Sequence, residues 1–199
     1  MTTPSLSMPD YRALAERFLL LAVNGEAGRT EQDPVYRAIT EGRDFGAGYS
    51  SCGDLCHWLL FRLGVREAWL NRAEHNGWRQ GKNIGRLMWS SHVARAPRQD
   101  ELYEAGDILA VWNQPEGNDA HVLVALRDYQ GCIESADYGQ PGGAIRRRTR
   151  KGGMLGDRKL QRMLPLQAVL ELAARAGRLV EPDDPATWLR TVEGAGNVA

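Results

Sequence analysis

Gly48-Tyr49-Ser50-Ser51-Cys52-Gly53-Asp54-Leu55-Cys56-His57-Trp58-Leu59-Leu60-Phe61-Arg62-Leu63-Gly64 sets a glycine- and serine-rich turn in front of an almost unbroken apolar run. Ser51 suits the N-cap and Asp54 the third helical position, a short capping box, so Cys52 falls in the first turn of a helix. Unpaired backbone N–H groups and the positive end of the helix dipole favour thiolate over thiol there, and the thiolate is the nucleophile. Apolar side chains on nearly every face mark the helix as buried, and Gly64 suits the C′ position that ends it.

Upstream, Pro9 and Asp10 open an amphipathic helix to about Val23, and the glycine-bearing stretch from Asn24 to Gly48 reads as a loop-rich approach. Downstream, Val65 to Asp100 mixes Trp69, Trp78, Trp89, His75 and His92 with polar residues, which suggests short helices and loops walling a substrate cleft. Strand signals follow at Ile108 to Trp112, His121 to Leu126, Cys132 to Ala136, Ala144 to Arg150 and Lys159 to Leu164, with a tight reversal over Arg127 to Gly131. A helix from about Leu166 to Arg178 and an acidic segment with Trp188 complete the chain. A helix followed by consecutive strands predicts the α+β class, a buried helix packed on an antiparallel sheet. One domain of 199 residues is expected: an N-terminal extension over 1–47, a core over 48–165 and a C-terminal helical extension over 166–199.

The formal net charge of zero provides no global pull toward nucleic acid or an anionic membrane. Arg146, Arg147, Arg148, Arg150, Lys151, Arg158, Lys159 and Arg162 do crowd one stretch, but without interleaved aromatics this reads as a solvated face rather than a nucleic-acid surface. Three cysteines make no disulfide framework, and no stretch approaches a membrane span. Phe18 to Val23 follows Asp10, Arg12, Glu16 and Arg17 and lacks a basic n-region and a clear cleavage site, so no export signal is read. Synthesis in the cytoplasm is expected, with any action in the periplasm or cell wall requiring a delivery apparatus.

A cysteine nucleophile needs a base that takes and returns a proton, and a third group that fixes the base. His121 opens a strand, where a rigid backbone can aim an imidazole at the helix N-terminus. Glu134, on the next strand beside the small Cys132 and Ala136, is the expected orienting carboxylate, with Asp137 as the alternative. Cys56 and Cys132 lie in apolar runs and read as small buried hydrophobes. A zinc site from Cys52, Cys56, His57 and His121 lacks the usual paired spacing, and no metal or organic cofactor is implied.

In order, a Cys at a helix start, Gly-Asp leading an apolar strand, His-Val opening the next strand and a polar residue one hairpin later resemble the NlpC-type and CHAP-type papain-like cysteine peptidases and amidases. Ser51-Cys52-Gly53-Asp54-Leu55 takes the place of the nucleophile motif, Gly106-Asp107-Ile108-Leu109-Ala110-Val111-Trp112 that of the strand motif, and His121-Val122 that of the catalytic pair. Ser51 stands where NlpC enzymes commonly have Asp, and Gly53-Asp54 where they have Ser-Gly. The resemblance, over about Tyr49 to Leu164, implies a papain-like fold and a cysteine-dependent amide hydrolase acting through an acyl-thioester on Cys52. It further implies a peptide or amide bond of bacterial peptidoglycan as substrate, Glu134 as the third catalytic residue, and Tyr49 as a hydroxyl beside the nucleophile that helps stabilise an oxyanion. A transferase or deamidase acting on an intracellular protein or acyl substrate, and a catalytically silent binding module, are the alternatives on the same scaffold.

Overall fold

The apolar run quoted above forms a helix over Ser51–Arg62 (α3), in a computed structural model that describes residues 6–41, 51–66, 88, 93–98, 101–113, 120–129, 132–139, 143–151, 154–155 and 158–196. Leu55, Trp58, Leu59, Leu60 and Leu63 are all buried. Full burial of each large apolar side chain contributes about 1.5–3 kcal/mol, which makes α3 the centre of the core. Its end is a Schellman motif: the Val65 N–H donates to Leu60 O at 2.9 Å and the Gly64 N–H to Phe61 O at 2.9 Å, with Gly64 at φ +90°. Ser51 is the first helical residue rather than the cap, one position away from the expected boundary.

Two further helices pack with α3 on the N-terminal side, Met8–Val23 (α1) and Pro34–Thr40 (α2). The first begins two residues before the expected start, because the Ser7 N–H and hydroxyl both donate to Asp10 Oδ2, at 3.0 and 2.6 Å. The second was expected to be loop. Asp33 caps it by accepting from the Val35 N–H at 2.8 Å, with Pro34 in the first turn.

Among the described residues six strands follow: Ile108–Asn113 (β1), Ala120–Tyr129 (β2), Cys132–Asp137 (β3), Arg146–Lys151 (β4), Met154–Leu155 (β5) and Arg158–Leu164 (β6). All neighbours are antiparallel, in the order β4-β3-β2-β1-β6-β5. The α+β class and the antiparallel sheet stand as expected. Arg127, Asp128 and Tyr129, expected in a reversal, instead extend β2, whose register against β3 shifts between Ala125 and Arg127. The chain ends in helices Leu166–Arg175 (α4) and Pro185–Gly196 (α5); the acidic segment with Trp188 is thus partly helical. None of these helices is long and apolar enough to cross a membrane. Trp69, Trp78, Trp89, His75 and His92 lie outside the described residues.

Strand pleating sorts the sheet into two apolar faces. Ile108, Ala110, Val122, Val124, Ala136 and Leu164 join the helices in the main core. Leu109, Val111, Leu123, Ala125, Ile133, Leu160 and Met163 form a second cluster on the opposite face, with Tyr103. Within the main core, Trp58 packs edge-on to Phe18 of α1 at 5.6 Å between centroids and tilted on Trp188 of α5 at 5.1 Å.

The Gly106-Asp107 pair has a structural role in this fold. A Cβ on Gly106, which sits at φ +90°, would lie 2.7 Å from Leu166 Cδ2, so only glycine fits between the turn and α4. Asp107 is almost wholly buried and gathers four elements' polar groups. Its Oδ1 accepts from Arg12 Nη1 at 2.7 Å and from the Leu166 N–H at 2.9 Å, its Oδ2 accepts from the Glu104 N–H at 3.1 Å, and its carbonyl accepts from the Ala125 N–H at 2.8 Å.

Candidate active site

Cys52 is the second residue of α3 and is half-buried against the main core. One turn deeper, Cys56 is fully buried and its thiol lies 3.7 Å from the Cys52 carbonyl oxygen. Burial pushes the Cys56 thiol well above its ordinary value, with Cys52 and Asp54 adding to the effect. A thiol held protonated in this way is a poor nucleophile, which leaves Cys52 as the candidate on this helix. Tyr49 lies outside the described residues.

His121, the second residue of β2, is 4% exposed, and its Nε2 has no hydrogen-bond partner among the described residues. The Asp137 Oδ2 stands 3.9 Å from that nitrogen. The two belong together by register: His121 pairs with Val111, a second-cluster residue, and Asp137 shares that face with Ile133 and Ser135. Asp137 is itself held tightly. Ser135 Oγ donates to its Oδ1 at 3.0 Å, Arg150 Nη2 donates to its Oδ2 over a short contact, and Arg148 Nε lies 3.6 Å from Oδ2.

Glu134 is not brought to His121. It sits on the other face of β3, paired with Arg127 in the ladder. Its Oε2 accepts from Arg127 Nε at 2.7 Å and from Arg147 Nη2 at 2.6 Å. Desolvation would raise its pKa, but the hydrogen bonds from Arg127 and Arg147 and their charges outweigh it and lower the value. The orienting role expected for Glu134 is therefore corrected: alternation puts Asp137, three residues on, on the imidazole's side. Because the folded value is depressed, the ion pair's stabilisation is fully present above the unfolded carboxylate value of about 4.3 and is lost as pH falls through the folded one. Glu134→Gln is expected to leave any turnover within about threefold of wild type and to cost about 1–3 kcal/mol of stability at neutral pH. Paired turnover and urea-denaturation measurements check this, and a loss of activity without loss of stability would put Glu134 back in the site.

The first turn of α3 and the imidazole occupy the same end of the sheet. Tyr138, which follows Asp137, shares a hydroxyl hydrogen bond with Tyr36 of α2 at 3.2 Å. Burial first, then that bond, hold the Tyr138 phenol well above its ordinary value, and Asp54 of α3 and Glu41 add repulsion. Asp54 thus lies close to the end of β3, beside the start of β2. The pleat nevertheless puts His121 on the second face, while Cys52 packs against the main core. Sequence reasoning passed over Ser135, Arg148 and Arg150, whose signal was the two-residue period they share with Asp137 across paired strands. Comparison with protein-family models and with curated proteins found no match to the chain.

Proposed function

We propose that the protein is a cysteine-dependent amide hydrolase of papain-like architecture, with Cys52 as nucleophile, His121 as base and acid, and Asp137 as the orienting carboxylate. The observation that carries this is a buried histidine with an unpartnered Nε2, 3.9 Å from a buried aspartate, at the sheet end beside a helix N-terminus bearing a half-buried cysteine. His121 takes the Cys52 proton, and the thiolate attacks the carbonyl carbon. Collapse of the tetrahedral adduct breaks the C–N bond, and the amine leaves with the proton from His121. Water then loses a proton to His121, attacks the thioester and releases the acid, regenerating thiol and imidazole. The resemblance to NlpC-type and CHAP-type enzymes makes a peptide or amide bond of peptidoglycan the proposed substrate.

One observation favours a second reading, a silent module of the same architecture: His121 and Cys52 belong by pleat and packing to opposite faces. Alkylation with iodoacetamide separates the two. Hydrolase chemistry requires Cys52 to react near neutral pH faster than a model thiol of pKa about 8.5, and His121→Ala to remove most of that advantage. A Cys52 that reacts no faster than the model thiol, or at one rate in both proteins, would leave the silent module as the answer.

A further inference from the structure

Asp137 is nearly fully buried, yet the group closest to it is not the imidazole but the guanidinium of Arg150. Arg150 pairs with Ile133 across β3–β4 and so stands on the face that carries Ser135, Asp137 and His121. Its Nη2 binds Asp137 Oδ2, its Nε reaches Ser135 Oγ at 3.4 Å, and Ser135 Oγ in turn donates to Asp137 Oδ1. Both carboxylate oxygens are thereby fixed, in a ring of three side chains drawn from two neighbouring strands. The oxygen that Arg150 binds is the same one that faces His121 Nε2.

We propose that Arg150 is a positioning residue of the His121–Asp137 pair, clamping the carboxylate and offsetting its charge beside the base, His121. The proposal rests on the hydrolase reading only for the word base; the electrostatic role is independent of it. A lone buried Asp137 would attract positive charge toward the imidazole, and a guanidinium bound to the same oxygen opposes that attraction. Among the described residues, the charged groups that register places on this face are Asp137 from β3, Arg146, Arg148 and Arg150 from β4, and Asp128 toward the far end of β2. Strand β1 offers the apolar Val111 opposite, and Tyr103 completes the second cluster. Glu134, Arg127 and Arg147 form their own set on the other face. Arg148 is farther from Asp137 and half exposed, so it provides less of the compensation.

The test is the titration of the His121 imidazole by proton NMR, assigned among the four histidines by comparison with His121→Ala. Arg150→Gln is expected to move its midpoint upward by about one pH unit, as removal of a close cation does. Arg150→Lys retains the charge and is expected to restore the wild-type midpoint. An unmoved midpoint in folded Arg150→Gln, or equal shifts in both variants, would overturn the proposal. Should Arg150→Gln fail to fold, Ser135→Ala removes the hydroxyl between Arg150 Nε and Asp137 Oδ1. It is expected to shift the midpoint in the same direction by less, and no shift would be equally fatal. Because NMR reads the imidazole whether or not Cys52 is reactive, a failed hydrolase reading and a failed clamp give different results. If both hold, the acid limb of kcat/KM moves upward with the NMR midpoint.

Discussion

Cys52→Ala is expected to lower hydrolysis of purified peptidoglycan by at least about 10⁴-fold, to background, while the protein stays folded. On the proposed mechanism, removing the Cys52 thiol removes the acyl-thioester. Cys56 is the only other thiol on that helix, and burial holds it protonated one turn deeper in the core. Cys56→Ala should therefore retain turnover while costing about 1–2 kcal/mol, the range for deleting a small buried group. Fragment analysis by mass spectrometry reads the activity, and denaturant unfolding reads the stability. An inactive, well-folded Cys56→Ala beside an active Cys52→Ala would show that the helix presents the other sulfur.

Asp107→Ala is expected to destabilise the fold by about 3–5 kcal/mol, with a fall in Tm of about 10 °C or more. The carboxylate is 1% exposed and its loss takes an acceptor from three donors together: the Arg12 guanidinium, the Leu166 N–H at the start of α4 and the Glu104 N–H. Arg12 keeps the Ala105 carbonyl at 2.7 Å and the more exposed Glu104 at 3.4 Å but loses its buried counter-charge. Asp107→Asn keeps an acceptor for one donor and should lose less. Thermal unfolding with urea titration measures both, and a loss below 1 kcal/mol for the alanine variant would mean that water replaces the carboxylate. With the larger loss, fold stability accounts for the Asp of the Gly-Asp signature that contributed to the family resemblance.

Much of the architecture was legible because its signals are local. The apolar run from Leu55 to Leu63, the strand cores and the glycine at position 64 each declare themselves within a few residues. Helix α2, passed over, opens with Asp33-Pro34, an N-cap followed by proline, and α5, inside the expected C-terminal helical extension, opens with the same dipeptide at Asp184-Pro185. The first was hidden by composition, since the glycines and charges around it read as loop. The site was less legible because the side on which a strand residue emerges depends on register and bulges set by pairing. Cys52 and His121 could be singled out by type and position in an element, whereas the choice between Glu134 and Asp137 needed the ladder. Ser135 and Arg150 gain meaning only once β3 and β4 are side by side.

Trp58, Phe18 and Trp188 meet in the interior although they come from the middle, the beginning and the end of the chain. The consequence is for modularity. A cassette cut at residues 48 and 165, where the sequence suggests natural borders, would carry Cys52 and His121 but expose the Trp58 indole of the cysteine's helix. The terminal helices are then not appendages that can be traded between relatives. They are the inner wall of the same room, and a graft of the chemistry onto another scaffold would have to bring them along.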